Sequence, residues 1–178
     1  MKKVLFVFGQ LIDSDIEWMI ALGKTQKVPA AHVLIEEAAQ LQNLYIVLAG
    51  ELVVRVKALG DREVGRAGCG ELLGEMSFID SRPTSATVIA SKESIVFAIP
   101  RAEMANKLKT DMAFAARFYR ALALLLSDKV RARGGMLPYG DSSAWDEEVQ
   151  AVDEIDEGVL DEVHLAGARF ERMLKRLA

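Results

Sequence analysis

Between positions 33 and 99 the chain carries short apolar runs spaced roughly ten residues apart and punctuated by Gly, Asp and Ser. They are Val33-Leu34-Ile35, Leu44-Tyr45-Ile46-Val47-Leu48, Leu52-Val53-Val54-Arg55-Val56, Thr87-Val88-Ile89-Ala90 and Ile95-Val96-Phe97-Ala98-Ile99. Their β-branched content and spacing predict a mainly β domain with flanking helices, an antiparallel β-roll or jelly-roll with a ligand-sized space between its sheets. Ahead of the strands, Asp13, Ser14 and Asp15 offer N-cap side chains to a short helix reaching Leu22, with Ile16, Met19 and Ile20 as its apolar face and Gly23 as its stop.

Behind the strands, Pro100 opens a helix over 101–109, and Asp111 is placed to cap a long helix over 111–133. That long helix has two adjacent apolar stripes. Met112, Ala116, Tyr119, Ala123, Leu126 and Val130 form one; Ala115, Phe118, Leu122 and Leu125 form the other. One stripe can pack on the β domain, and the width of the arc predicts a second copy against the other, a homodimer through 111–133.

Leu160, Val163, Gly167, Phe170, Leu174 and Leu177 recur at helical spacing and predict an amphipathic tail helix over 160–178, with Gly167 permitting close helix approach and Glu171 and Lys175 as an i,i+4 pair. This helix has two destinations, its own domain or a protein partner, and the pattern does not choose between them. Charge divides the chain: residues 1–140 hold 18 basic and 15 acidic side chains, residues 141–178 hold 4 and 11. With Gly134, Gly135, Pro138 and Gly140, this sets a boundary near 135 and three parts, a domain over 1–135, an acidic linker over 136–159 and the tail helix.

Composition removes whole classes of function. A hydrophobic fraction of 51% supports a packed core in a chain of 178 residues. Cys69 is the single cysteine and His32 and His164 are the two histidines, so neither a disulfide framework nor a multi-histidine metal centre is expected. A net charge of −4 gives no general attraction to nucleic acid or anionic lipid. No stretch approaches the length of a spanning helix, and Val4 to Phe8 is too short for a signal peptide's apolar core, so no membrane insertion and a cytoplasmic location are expected. No P-loop, nucleophile elbow or HExxH motif is found, and no enzyme is expected.

The chemistry concentrates in Gly70-Glu71-Leu72-Leu73-Gly74-Glu75-Met76-Ser77-Phe78-Ile79-Asp80-Ser81-Arg82-Pro83-Thr84-Ser85-Ala86-Thr87-Val88. A glycine before a short helical turn presents free backbone N–H groups to an anion, and a carboxylate beside that turn accepts from a sugar hydroxyl. The alternative is a tight connection between strands in which Glu75 accepts from backbone amides.

Three pieces of the sequence resemble the cyclic-nucleotide-binding domains of the catabolite activator and protein kinase A regulatory subunit type, over roughly residues 10–133. Leu44-Tyr45-Ile46-Val47-Leu48-Ala49-Gly50-Glu51-Leu52 is similar to the family's strand-turn-strand. Gly74-Glu75-Met76-Ser77 resembles the start of its phosphate-binding cassette and Pro83-Thr84-Ser85-Ala86-Thr87-Val88 its end. The segment from Leu165 onward looks like the tails of stand-alone bacterial members.

The resemblance implies a cyclic nucleotide ligand, cyclic AMP or cyclic GMP, with no other cofactor. Glu75 would hold the ribose hydroxyl, the backbone of Gly74, Met76 and Ser77 the phosphate, and Ser85 a further donor. Tyr119, Ala123 and Ser127 would be a lid over the base, and ligand binding would move the long helix. The family's phosphate-binding arginine falls at Thr84 here, which offers one neutral hydroxyl to the ligand, with Arg82 two residues earlier as a candidate to reach the phosphate instead, and Glu37 stands at a turn position that is usually glycine. Loss of that arginine raises a second implication, a module that keeps the fold without the ligand and holds a protein partner through its tail. Only 38 residues follow Gly140, too few and too acidic for a winged DNA-reading module, so no direct DNA binding is expected.

Overall fold

The computed structural model describes residues 4–134 and 157–177. Two four-stranded antiparallel sheets face one another, in the orders β1-β8-β3-β6 and β2-β7-β4-β5. The strands are β1 Lys24–Val28, β2 Val33–Ile35, β3 Asn43–Ala49, β4 Glu51–Val56, β5 Arg62–Gly68, β6 Leu72–Leu73, β7 Thr87–Ala90 and β8 Ser94–Pro100. The helices are α1 Val4–Gln10, α2 Asp13–Leu22, α3 Glu75–Asp80, α4 Arg101–Thr110, α5 Met112–Gly134 and α6 Glu157–Leu177. The fold is the jelly-roll that the apolar runs predict, flanked by helices at both ends of the chain.

The five apolar runs become β2, β3, β4, β7 and β8. Leu44 through Leu48 are all buried, so β3 reads as a continuous apolar run rather than an alternating one. β3 and β4 meet at Gly50, whose φ of +91° is left-handed and whose absent Cβ would lie 2.2 Å from Ser94 Oγ. That Oγ accepts the Glu51 N–H at 3.0 Å, which pins the corner to the start of β8. β1 and β5 carry almost no apolar signal: Lys24-Thr25-Gln26-Lys27 and Arg62-Glu63-Val64-Gly65-Arg66 are exposed. They are edge strands, each paired to one neighbour, and their charges suit an edge.

At the start of α2 the capping differs from expectation. Asp15 Oδ2 accepts the Ile12 N–H at 3.1 Å, while Asp13 faces α6 instead. Asp111 caps α5 as expected, its Oδ1 accepting the Phe114 N–H at 2.9 Å. The salt bridge to Lys107, aided by that backbone bond, holds the Asp111 carboxyl below its usual range.

The two stripes of α5 separate cleanly. Ala115, Phe118, Leu122 and Leu125 are in the core, whereas Met112, Tyr119 and Val130 are exposed.

α6 docks on the protein's own helices. Ala166, Phe170 and Met173 are buried, and the Phe170 ring meets Phe8 of α1 edge-on at 6.1 Å. Arg169 Nε lies 2.7 Å from Asp13 Oδ1 and donates through Nη1 to the Phe8 carbonyl at 2.9 Å. Arg176 pairs with Glu17. The hydrogen bond from Arg169, with Arg172 adding to it, lowers the Asp13 pKa from its ordinary value. Gly167 is not the point of close approach: a Cβ there would meet nothing within 4 Å, and Ala166 occupies the contact. The acidic linker expected over 136–159 lies almost wholly outside the described residues.

Candidate functional site

Gly74 ends β6 with φ +89°, and a Cβ on it would stand 2.7 Å from Leu41 Cδ1. The left-handed backbone favours glycine here, and a Cβ would also force the Leu41 side chain to move. The reversal aims Glu75, the first residue of α3, into a cavity of about 520 Å³. The walls are Ile35, Val54, Val56, Val64, Leu73 and Val88, contributed by five strands. This is an apolar slot into which a single carboxylate projects, 5% exposed.

Glu75 Oε1 accepts a hydrogen bond from Lys129 Nζ at 2.5 Å, and both side chains line the cavity. Lys129 sits near the end of α5, so this ion pair connects the cassette directly to the long helix. A second link runs beneath it: Phe78 of α3 meets Phe118 of α5 edge-on at 5.8 Å. The alternative reading of Glu75, as an acceptor for backbone amides in a tight turn, is replaced by this charged partner 54 residues away.

The other cassette residues divide. Gly74, Met76, Ser77, Thr84 and Ser85 line the cavity with Glu75. Thr84 is 6% exposed and its hydroxyl is committed elsewhere: it donates to the Glu36 carbonyl and accepts the Ala39 N–H at 3.1 Å. It therefore knots the cassette to the loop between β2 and β3. Arg82 does not line the cavity. Its side chain is 83% exposed and lies 3.7 Å from Asp80. Glu37, at the unusual turn position, accepts the Lys57 N–H at 2.7 Å and so clips that same loop to the end of β4.

None of Tyr119, Ala123 and Ser127 lines the cavity, and all three are exposed. From α5 it is Lys129 that lines the cavity, because the buried stripe of the helix, not the exposed one, faces the β domain. The sequence held the signal: Phe118, Leu122, Leu125 and Lys129 follow at spacings of 4, 3 and 4, so one cation completes an apolar stripe. Among the described residues no group of three His, Cys, Asp or Glu could hold a metal ion, and no helix is long and apolar enough to cross a membrane.

Comparison with known proteins agrees with this geometry. Residues 25–111 match the family model described as cyclic nucleotide-binding domain. The chain is 34% identical over 83 residues to the Pycsar effector protein PaPycTIR of Pseudomonas aeruginosa, covering 46% of this chain and 26% of that protein. It is 28% identical over 118 residues to the cAMP-dependent protein kinase regulatory subunit of Blastocladiella emersonii, covering 65% of this chain and 29% of that one. The chain thus spans under a third of the length of these curated relatives. Among solved structures, a cyclic nucleotide-binding domain from Methylobacillus flagellatus superposes with a TM-score of 0.68 at 20% identity, over 79% of this chain and 85% of that one. The Thermus thermophilus catabolite activator protein superposes with a TM-score of 0.60 at 20% identity, over 97% of this chain and 86% of that one. With a jelly-roll, a glycine-led cassette and a buried glutamate in order along it, the chain belongs, through residues 25–111, to the cyclic nucleotide-binding domain family.

Proposed function

We propose that this protein is a non-catalytic regulatory module of the cytoplasm, which binds a cyclic nucleotide in the jelly-roll cavity and passes the event to α5 and α6. The observation that carries this is the Glu75–Lys129 ion pair, in which the carboxylate fitted to a ribose hydroxyl is already bonded to the helix that would transmit the signal. A ligand that engages Glu75 must alter the surroundings of Lys129. The shift in α5 is bounded by the difference in ligand affinity between its two positions.

Titration calorimetry with cyclic AMP and cyclic GMP, up to millimolar concentration, tests the reading. Saturable heat is expected from the full chain, and Glu75→Ala is expected to weaken binding by about 100-fold or more, the value of a charge-assisted hydrogen bond lost together with its buried partner. A silent titration with both nucleotides would overturn the reading.

The exposed stripe of α5 supports a second copy of the chain as its cover, with Met112, Tyr119 and Val130 at the seam. Sedimentation equilibrium should then give twice the mass of the chain, and Tyr119→Glu should return it to the monomer. A single-chain mass for the unaltered protein would remove the dimer.

Thr84 favours a second reading, a module that keeps the fold without a nucleotide, because its hydroxyl is spent on backbone. In that case the partner surface would not be the apolar face of α6, which is already buried against α1.

A further inference from the structure

We propose that Lys129 is the phosphate-binding residue of this cavity and holds the ligand's anion without releasing Glu75. The inference rests on the cyclic-nucleotide reading and names the residue that makes an anionic ligand acceptable there.

Charge is the first part of the argument. Among the described residues lining the cavity, Glu75 and Lys129 are the two that carry charge. Without Lys129 the slot would hold one buried negative charge in an apolar wall and would repel a phosphate. The nearby arginines do not help. Arg55 is paired with Asp61, Arg66 with Glu51 and Glu63, and Arg82 with Asp80, and none of the three lines the cavity. The cassette position that carries an arginine in the resemblance is Thr84, with its hydroxyl committed to the Glu36 carbonyl and the Ala39 N–H.

Donor arithmetic is the second part. An ammonium has three N–H donors, and among the described residues Lys129 has one acceptor, Glu75 Oε1. Two donors remain for phosphate oxygens. A carboxylate has about four acceptor sites, so Glu75 can keep its bond to Lys129 and still accept from a sugar hydroxyl. Lys129 therefore bridges carboxylate and phosphate, with the hydroxyl and the anion of the ligand side by side. Its side chain is 20% exposed, so the charge acts in a partly dried site where it is screened little. The ligand class that fits is a sugar phosphate with a hydroxyl adjacent to the phosphate, as in a 3′,5′-cyclic nucleotide.

The test compares Lys129→Gln and Lys129→Arg with the unaltered full chain. Each is titrated with cyclic AMP and with adenosine, which keeps the base and the ribose hydroxyls and lacks the phosphate, and likewise with cyclic GMP and guanosine. Lys129→Gln is expected to bind the cyclic nucleotide about 30-fold or more weakly, the effect of replacing two charge-assisted bonds to the phosphate by neutral ones of about half the strength, while Lys129→Arg keeps the charge and stays within about tenfold. Nucleoside binding should fall far less than cyclic-nucleotide binding in Lys129→Gln and stay close to the unaltered chain in Lys129→Arg. A single cooperative urea transition would show that each variant is folded, the midpoint of Lys129→Gln being lowered because Glu75 loses its partner. Equal or tighter cyclic-nucleotide binding by Lys129→Gln, with the unaltered chain still binding, would overturn the proposal and leave the cavity's function standing. If the unaltered chain binds neither nucleotide, the functional reading falls and this proposal with it.

Discussion

Phe118→Ala is expected to cost about 3–5 kcal/mol of unfolding free energy, the range for deleting a buried phenylalanine ring. The ring is fully buried, stacks on Phe114 at 5.6 Å and meets Phe78 edge-on at 5.8 Å. Few neighbours can collapse into the space, because Phe78 belongs to the short α3 and Phe114 to the first turn of α5. In a chain of this size each kcal/mol moves the melting temperature by about 2–4 °C, so a fall on the order of 10 °C should be seen. Urea unfolding is the better measurement, with the midpoint falling and the slope unchanged. Phe118→Leu should restore much of the loss. A loss below about 1 kcal/mol would mean that α5 does not pack on the cassette in solution, and the route from cavity to helix would be gone.

Asp15→Ala should be the next most damaging single change. Arg117 of α5 grips Asp15 with both arms of its guanidinium, Nε to Oδ2 at 2.7 Å and Nη2 to Oδ1 at 2.9 Å. Asp15 is 5% exposed and also accepts the Ile12 N–H, so one carboxylate closes the first turn of α2 and fastens it to α5. Removing it leaves Arg117 without its hydrogen-bonded carboxylate and a backbone donor without its acceptor. Breaking a buried pair from one side costs about 3–5 kcal/mol; Arg117 keeps a quarter of its side chain in water, which brings the expectation to about 2–4 kcal/mol. The double variant Asp15→Ala, Arg117→Met should recover a large part, since no charge is then stranded. If the double variant is as unstable as the single, the pair is not the source of the loss.

The parts of this fold that bury apolar side chains were readable in the sequence. Leu44 to Leu48 and Ile95 to Ile99 announce central strands because both of their faces are covered, and β-branched runs have few other uses. β1 and β5 were not readable, because an edge strand is specified by backbone pairing to β8 and β4 and leaves its side chains in water. α1 reads as an ambiguous apolar run, since Val4, Val7, Phe8 and Leu11 are buried by elements more than a hundred residues away in sequence. In the cavity, Glu75 was legible because it follows Gly74, the left-handed turn that opens α3. Lys129 could be placed on the core stripe by its spacing from Phe118, Leu122 and Leu125, but its pairing could not be read, because its partner is 54 residues distant. The exposed stripe with Tyr119 is as apolar as the buried one, and only the docking of α5 on the β domain tells them apart.

α1 is wedged between α5 and α6, with Phe8 covered by Phe170. On a ribosome these partners do not arrive together. The 147 positions from Gln10 to Glu157 take roughly 7–30 s to translate at about 5–20 residues per second. The jelly-roll can close in that interval, while one flank of the first helix stands bare. The nascent protein thus passes through an obligatory stage with a sticky phenylalanine at its front, open to a chaperone or to a neighbour on the same polysome, and premature termination anywhere before α6 leaves it in that state for good.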